Sequence, residues 1–281
     1  MKSYANLTAF ILLSAACSTL PQPRPALGSS FPTEARKVLQ ISAAAHGHPW
    51  EKYRKVEVSY DGEWMKTATI LQPIITNPEF RKSSYEIYQP KSGNVRQFHR
   101  GPLGEKLVTR VRPLGIEVNF NGATSYDTEV KKAAALVADA YTVFLFGPSW
   151  LLANGRDLSM QPEATCEGEI CQLVSGRVKP GFGYASEDFF VAWVSKKSGL
   201  LRRFQFSLNG MDSTQGADVD VVFSDYRTAQ DGSVWPQYFV ERIQRPILAK
   251  AHVWRMTSLA LDGQVVFPKQ EVSFNKGMLH R

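Results

Sequence analysis

The sequence holds little cysteine, three residues in 281, and none of it forms a CxxC pair. Thioredoxin-like redox chemistry is thereby excluded, and no Cys/His set has the spacing of a zinc site. The five histidines form no HExxH pattern, and GxSxG, P-loop and GxGxxG patterns are absent as well. Catalysis by a recognisable motif is therefore not expected, and the chain is read as a non-enzyme with no cofactor. The long apolar stretch 133–153 contains Asp139 and Pro148, which points to a helix lying on a core or groove rather than to a membrane span.

What is present is ordinary for a globular protein: 43% hydrophobic and 21% charged residues, which excludes disorder as the main state. Sixteen prolines and twenty glycines along the chain fit a turn-rich β protein better than a helical bundle. The net charge is +7.

The first residues, MKSYANLTAFILLSAAC, carry Lys2, an apolar run from Leu7 to Ala16, and small residues before Cys17. The run is too short to span a bilayer and suits the core of a signal peptide. It resembles a bacterial lipobox, with Ser14 where Leu is usual and Leu13 one place further back. The resemblance implies cleavage after residue 16 and acylation of Cys17 by palmitate-type chains, a stable membrane anchor. Ordinary cleavage at an A-x-A-like site is the other reading. Ser18 in place of Asp implies the outer membrane, so the expected location is the bacterial envelope, periplasmic face. Residues 17–32 are rich in Pro and Ser and read as a tether, and 33–281 as one domain. Cleavage removes only Lys2 among the charges, leaving +6. Export argues against nucleic acid as a partner.

Cys166 and Cys171, in TCEGEICQL, have Glu167-Gly168 between them as a turn, which places them across a hairpin from each other. An oxidising compartment favours a structural disulfide between them.

Thr33 opens an expected helix with Ala35, Val38, Leu39, Ser42 and Ala45 on one face. Period-two patterns then mark strands at 56–60, 66–72, 84–89, 94–99, 106–111 and 115–120. A second helix starts at Asp127 or Thr128 and is stopped by Gly147-Pro148. Strands return at 172–178, 189–194, 201–208, 219–226, 235–243 and 251–261, divided by turn residues such as Asn209-Gly210 and Asp231-Gly232. A long antiparallel meander with one apolar face curls on itself or is covered by helices. The fold class is thus mainly β (α+β).

The order of elements, with AHGHPWEKYRKVEVSYDGEW (45–64), FFVAWVSKKSGLLRRFQF (189–206) and VVFSDYRTAQDGSVWPQYFVERI (221–243), resembles the LolA/LolB-like superfamily over about residues 33–265. The resemblance implies an unclosed antiparallel β-barrel with covering helices and an apolar hollow for an acyl chain or another amphiphile. It also implies lipid or lipoprotein handling. Trp64, Phe120, Phe144, Trp193, Phe204, Phe206 and Trp254 are candidates for lining the hollow, each with the alternative of plain core. Ser149-Trp150-Leu151-Leu152 is the nearest equivalent of a membrane-touching apolar loop. A structural lipoprotein that presents its barrel to an envelope partner, with no ligand, is the rival function.

Three further groups admit both a sharp and a bland reading. The basic pairs Lys131-Lys132, Lys196-Lys197 and Arg202-Arg203 suit lipid head groups or a solvated face. His46 and His48 suit a metal or a helix-end turn. Glu187-Asp188 and Asp218/Asp220 read as acids at strand edges.

Overall fold

The structure is a computed structural model in which residues 31–112, 115–245 and 247–268 are described. The signal segment, Cys17 and the tether through residue 30 lie outside the described residues, as does 269–281.

Helix α1 (Phe31–Ala45) starts two residues before the expected Thr33 and buries Ala35, Val38, Leu39 and Ser42. A single turn, α2 (Pro49–Lys52), leads into strand β1 (Val56–Trp64). Residues 66–72, expected to be extended, instead form α3 (Lys66–Leu71) and α4 (Pro73–Thr76). Tertiary anchoring overrides the β preference of Thr and Ile here. The Met65 N–H bonds the Ala251 carbonyl at 2.9 Å, and Ala68 packs against Ile243 and Ala251. Pro73 also removes a ladder donor.

A run of hairpins follows: β2 (Ser83–Gln89), β3 (Asn94–Gly101), β4 (Gly104–Val111), β5 (Gly115–Phe120) and β6 (Ala123–Thr124). Helix α5 (Thr128–Asn154) is capped by Asp127, whose carboxylate accepts from the N–H groups of Glu129 and Val130. Gly147, at φ 49° and ψ −128°, breaks the helix. The expected stop is a kink only, because helical geometry resumes to Asn154. Trp150 and Leu151 are buried within that second stretch, so Ser149–Leu152 is not an exposed loop. By length and composition α5 is apolar enough to cross a membrane, but 94% of its apolar window is buried inside the protein. Asp139 at its centre pairs with Arg110 at 3.1 Å and Arg112 at 2.5 Å.

β7 (Gly155–Cys166) has no alternation in GRDLSMQPEATC and was not foreseen. Beyond it lie β8 (Glu169–Val178), β9 (Asp188–Ser195), β10 (Leu201–Ser207), β11 (Asp218–Ser224), the short pair β12 (Arg227–Thr228) and β13 (Val234–Trp235), β14 (Tyr238–Arg245), β15 (Ala249–Leu261) and β16 (Gln264–Phe267).

Fourteen strands form one antiparallel sheet in the order β6-β5-β4-β3-β2-β1-β15-β14-β11-β10-β9-β8-β7, with β16 beside β15. β6 and β7 remain as margins, so the barrel is unclosed, as the sequence implied, and α5 fills its hollow. The hairpin register refines where the cysteines sit. Cys166 faces Glu169 and Cys171 faces Ala164, which makes the two cysteines diagonal neighbours on one face. Both are buried free thiols in this structure.

Candidate functional site

The inner face of the sheet divides in two. Over β9, β10, β11 and β14 it is apolar: Phe190, Phe204, Phe206, Val219, Val221, Phe223 and Phe239 are buried against α5. Over β1 to β4 and the start of β15, the positions of the same inward parity carry Glu86, Gln97, His99, Lys106, Arg110 and His252, all under 9% exposed. Polar groups in such a place require partners, and this half of the sheet holds the candidate site.

Its centre is a stack. Trp64, at the end of β1, lies parallel to His252 with centroids 3.9 Å apart and 3° between planes. Trp254 covers the other side of His252 at 4.5 Å. Trp254 in turn stacks on Tyr141 of α5 at 5.2 Å and on Phe239 at 5.1 Å. Gly62, opposite Trp254, makes room for this, since a Cβ there would lie 2.7 Å from Trp254 Cβ and 2.9 Å from His252 Nε2.

Arg81, just before β2, organises the polar side. Its guanidinium donates to the Ile75 carbonyl at 2.6 Å and to the Tyr141 hydroxyl at 2.9 Å. It lies 4.9 Å from the Trp64 ring centroid and 5.5 Å from that of Tyr141. Because arginine only donates, the Tyr141 oxygen accepts from it, and the same hydroxyl lies 3.1 Å from His252 Nδ1. Burial, and then the Arg81 charge, push the His252 pKa well below the usual range, which favours the neutral ring.

The same two causes act on Lys106, whose ammonium is lowered to about 7. Its Nζ sits 5.5 Å from the Phe120 centroid. His99 is lowered by burial and by Arg81, Lys106 and His252. Two acids complete the surroundings. Glu86 is held by Ser84, Tyr88 and Gln97, and burial raises it. Glu241 is raised to about 7 by burial, and its Oε2 lacks a hydrogen-bond partner.

Two spaces adjoin the stack. An open groove of about 330 Å³ is walled by Trp64, Pro78 and Pro102 and bordered by Gly62, Glu63, Arg81 and Lys82. A void of about 20 Å³, the size of one water, lies behind it among Arg81, His99, Tyr141 and His252. A third space, of about 400 Å³, opens along β1 to β4 beside Tyr85 and Phe98, which are 40% and 36% exposed.

Of the seven residues expected to line a hollow, Phe144, Phe204, Phe206 and Trp254 pack on one another, with Phe144 5.6 Å from Phe206 and 5.9 Å from Trp254. Among the described residues these four form part of the buried core between the sheet and α5. Trp64 joins the group through His252. Trp193 belongs to a different place, where it donates to Gln205 at 2.7 Å and lies under Arg203. Phe120 sits near the β6 margin, edge-on to Phe80 at 4.8 Å.

Other expected surface features are engaged. His46 is buried, with Nδ1 3.1 Å from the Val234 carbonyl and Nε2 accepting from the Leu201 N–H at 3.1 Å, so neither nitrogen is open to a metal. Asp188 and Asp220 are buried rather than edge acids. Asp188 accepts from Ser207 and from the Phe182 and Asn209 N–H groups, and Asp220 is gripped by Arg203 and Arg242. Lys132 pairs with Glu129, and Lys196 with Glu163. Sequence reasoning passed over Arg81, His99, Lys106 and His252. For Lys106 the signal was its parity with the inward Val108 and Arg110.

No family model matches the chain, and no curated protein matches it. Among solved structures it is similar to a DUF1329 family protein from Desulfovibrio piger, at 12% identity and a TM-score of 0.47, covering 81% of this chain and 93% of that one. It is similar to the lipoprotein LppX from Mycobacterium tuberculosis at 14% identity and a TM-score of 0.28, over 63% of this chain and 90% of the other. It is also similar to a LolA superfamily protein from Nitrosomonas europaea, at 8% identity and a TM-score of 0.48, over 81% of this chain and 93% of that one.

Proposed function

We propose that this chain is a lipid-anchored envelope protein, held through Cys17 to the outer membrane, whose single domain binds an amphiphile non-covalently and takes part in lipid or lipoprotein handling. The supporting observation is the groove beside Trp64. It is walled in part by the rings of Trp64, Pro78 and Pro102 and joined to a built aromatic stack. The acyl chain lies along Trp64, Pro78 and Pro102, at the mouth of the barrel rather than in its core. Burial of apolar ligand surface at about 25 cal/mol per Å² supplies the affinity, with few polar contacts. Ile70, Leu71 and Ile74 of α3 and α4 are exposed at this end and extend the apolar surface.

No chemical step is assigned, and the chain acts as a carrier or receptor rather than an enzyme. In the oxidising envelope Cys166 and Cys171 close, which an intact mass lower by two hydrogens reads directly. Native mass spectrometry of protein extracted from membranes tests the main reading. A bound amphiphile, lost when Trp64 is replaced by Ala, supports it; ligand-free protein with no response to added laurate overturns it. The space along Tyr85 and Phe98 favours a second reading, a surface presented to an envelope protein, which a stoichiometric cross-linked partner would establish.

A further inference from the structure

The amphiphile-binding reading leaves the head group open, and the polar end of the groove addresses it. Arg81 is 6% exposed, yet no carboxylate among the described residues lies within ion-pair range of it, and its Nε–H has no acceptor. The Trp64 indole N–H, in the same wall, also has none. Lys82 is exposed at the rim. Gly62, Arg81 and Lys82 border both the groove and the water-sized void, so the two spaces meet at Arg81. Buried donors without acceptors are costly unless something accepts from them. A guanidinium matches an oxyanion in charge and in fork geometry.

We propose that Arg81, with Trp64 and Lys82, forms a binding subsite for an oxyanion head group, a carboxylate or phosphate, whose apolar chain occupies the groove. This rests on the amphiphile reading and narrows its ligand class.

The groups around Arg81 fit an added negative charge. His99, Lys106 and His252 face it from β3, β4 and β15, and Tyr141 faces it from α5. Glu86 and Glu241 face it from β2 and β14, and both are biased by burial toward their neutral forms. An entering anion meets Arg81 without displacing a carboxylate bonded to it, with Lys82 and Glu63 flanking it in the groove wall.

The test titrates the full-length chain with laurate, dodecyl phosphate, dodecanol and inorganic phosphate. Tryptophan fluorescence and the indole N–H resonance of Trp64, assigned with W64F, are the readouts. The two anionic amphiphiles are expected to bind at least ten-fold more tightly than dodecanol, and R81Q to reduce that preference to less than two-fold while R81K keeps part of it. The laurate and dodecyl phosphate arms tell a carboxylate from a phosphate ligand. Equal binding of laurate, dodecyl phosphate and dodecanol overturns the head-group subsite and leaves the amphiphile reading standing. Binding of inorganic phosphate with no binding of any amphiphile keeps the subsite and overturns the amphiphile reading, and no binding by any probe overturns both. Should R81Q fail to fold, the wild-type resonance decides. A Trp64 N–H shift with laurate but not with dodecanol supports the subsite, and identical shifts refute it.

Discussion

Lys106 makes a quantitative prediction about stability and pH. Its side chain is 3% exposed, and burial together with Arg81 lowers its ammonium from 10.5 to about 7. In the unfolded chain the same amine keeps an ordinary pKa near 10.4. Between these values the unfolded state holds a proton that the native state has released, so stability rises with pH across the window from about 7 to 10. At about 1.4 kcal/mol per pKa unit, the lysine destabilises the fold by about 4 kcal/mol at pH 7 and by under about 1 kcal/mol at pH 10. K106M keeps the length of the side chain and removes the charge. Urea unfolding of both proteins at pH 7, 8, 9 and 10 isolates the effect, because Tyr85, Tyr88 and other late-titrating groups are common to the pair. K106M is expected to be the more stable at pH 7, by about 2–4 kcal/mol, and the gap to close by about 3 kcal/mol at pH 10. A gap that stays constant with pH would refute the placement of a strained ammonium on this inner face.

Three further outcomes follow from named contacts. His46, lowered to about 4 mainly by burial, resists protonation, so stability falls as pH drops from 6.5 toward 4, by up to about 3 kcal/mol. In a proton NMR titration its ring, assigned with H46A, is expected to stay neutral at pH 5.5, and an ordinary midpoint near 6.5 would contradict the pair of bonds drawn to Val234 and Leu201. D139N leaves Arg110 buried without a counter-charge and is expected to cost about 3–5 kcal/mol in chemical denaturation, with a loss under about 1 kcal/mol counting against a structural ion pair inside α5. G62A presses a methyl group onto Trp254 and His252, with an expected loss of about 1–3 kcal/mol and a weaker near-ultraviolet dichroism; an unchanged spectrum would argue against the stack.

Much of the fold was legible because local chemistry and tertiary packing agreed. Asp127 reads as a cap and is one, and the alternation of Arg203-Phe204-Gln205-Phe206 places both phenylalanines inward. Where they disagreed, packing won. Lys66–Leu71 has strand-forming residues, but Ala68 is docked on β15 and the backbone coils to reach it. β7 was hidden because two register shifts, between Arg156 and Ser159 and between Gln161 and Ala164, erase its period. The candidate site was half legible. Trp64 and Trp254 stand out in the sequence as large apolar side chains, but the histidine between them and the arginine at their edge belong to distant segments. Only the pairing of β1 with β15 brings these together. The polar half of the inner face was missed because parity in a strand tells which side a residue faces, not whether that side is dry.

An unclosed sheet has two ends to which another strand can be added, and here they differ in sequence. Joining one to the other would therefore run head to tail, giving a ring where the rotation closes and an open filament where it does not. The lipid anchor proposed at Cys17 would sharpen that hazard by crowding copies on a membrane. β7 answers it with Pro162, with its two breaks in register, and with α1 laid against it, while β6 offers a template only two residues long. The irregularity that concealed β7 from the sequence thus also makes that margin a poor template for another strand.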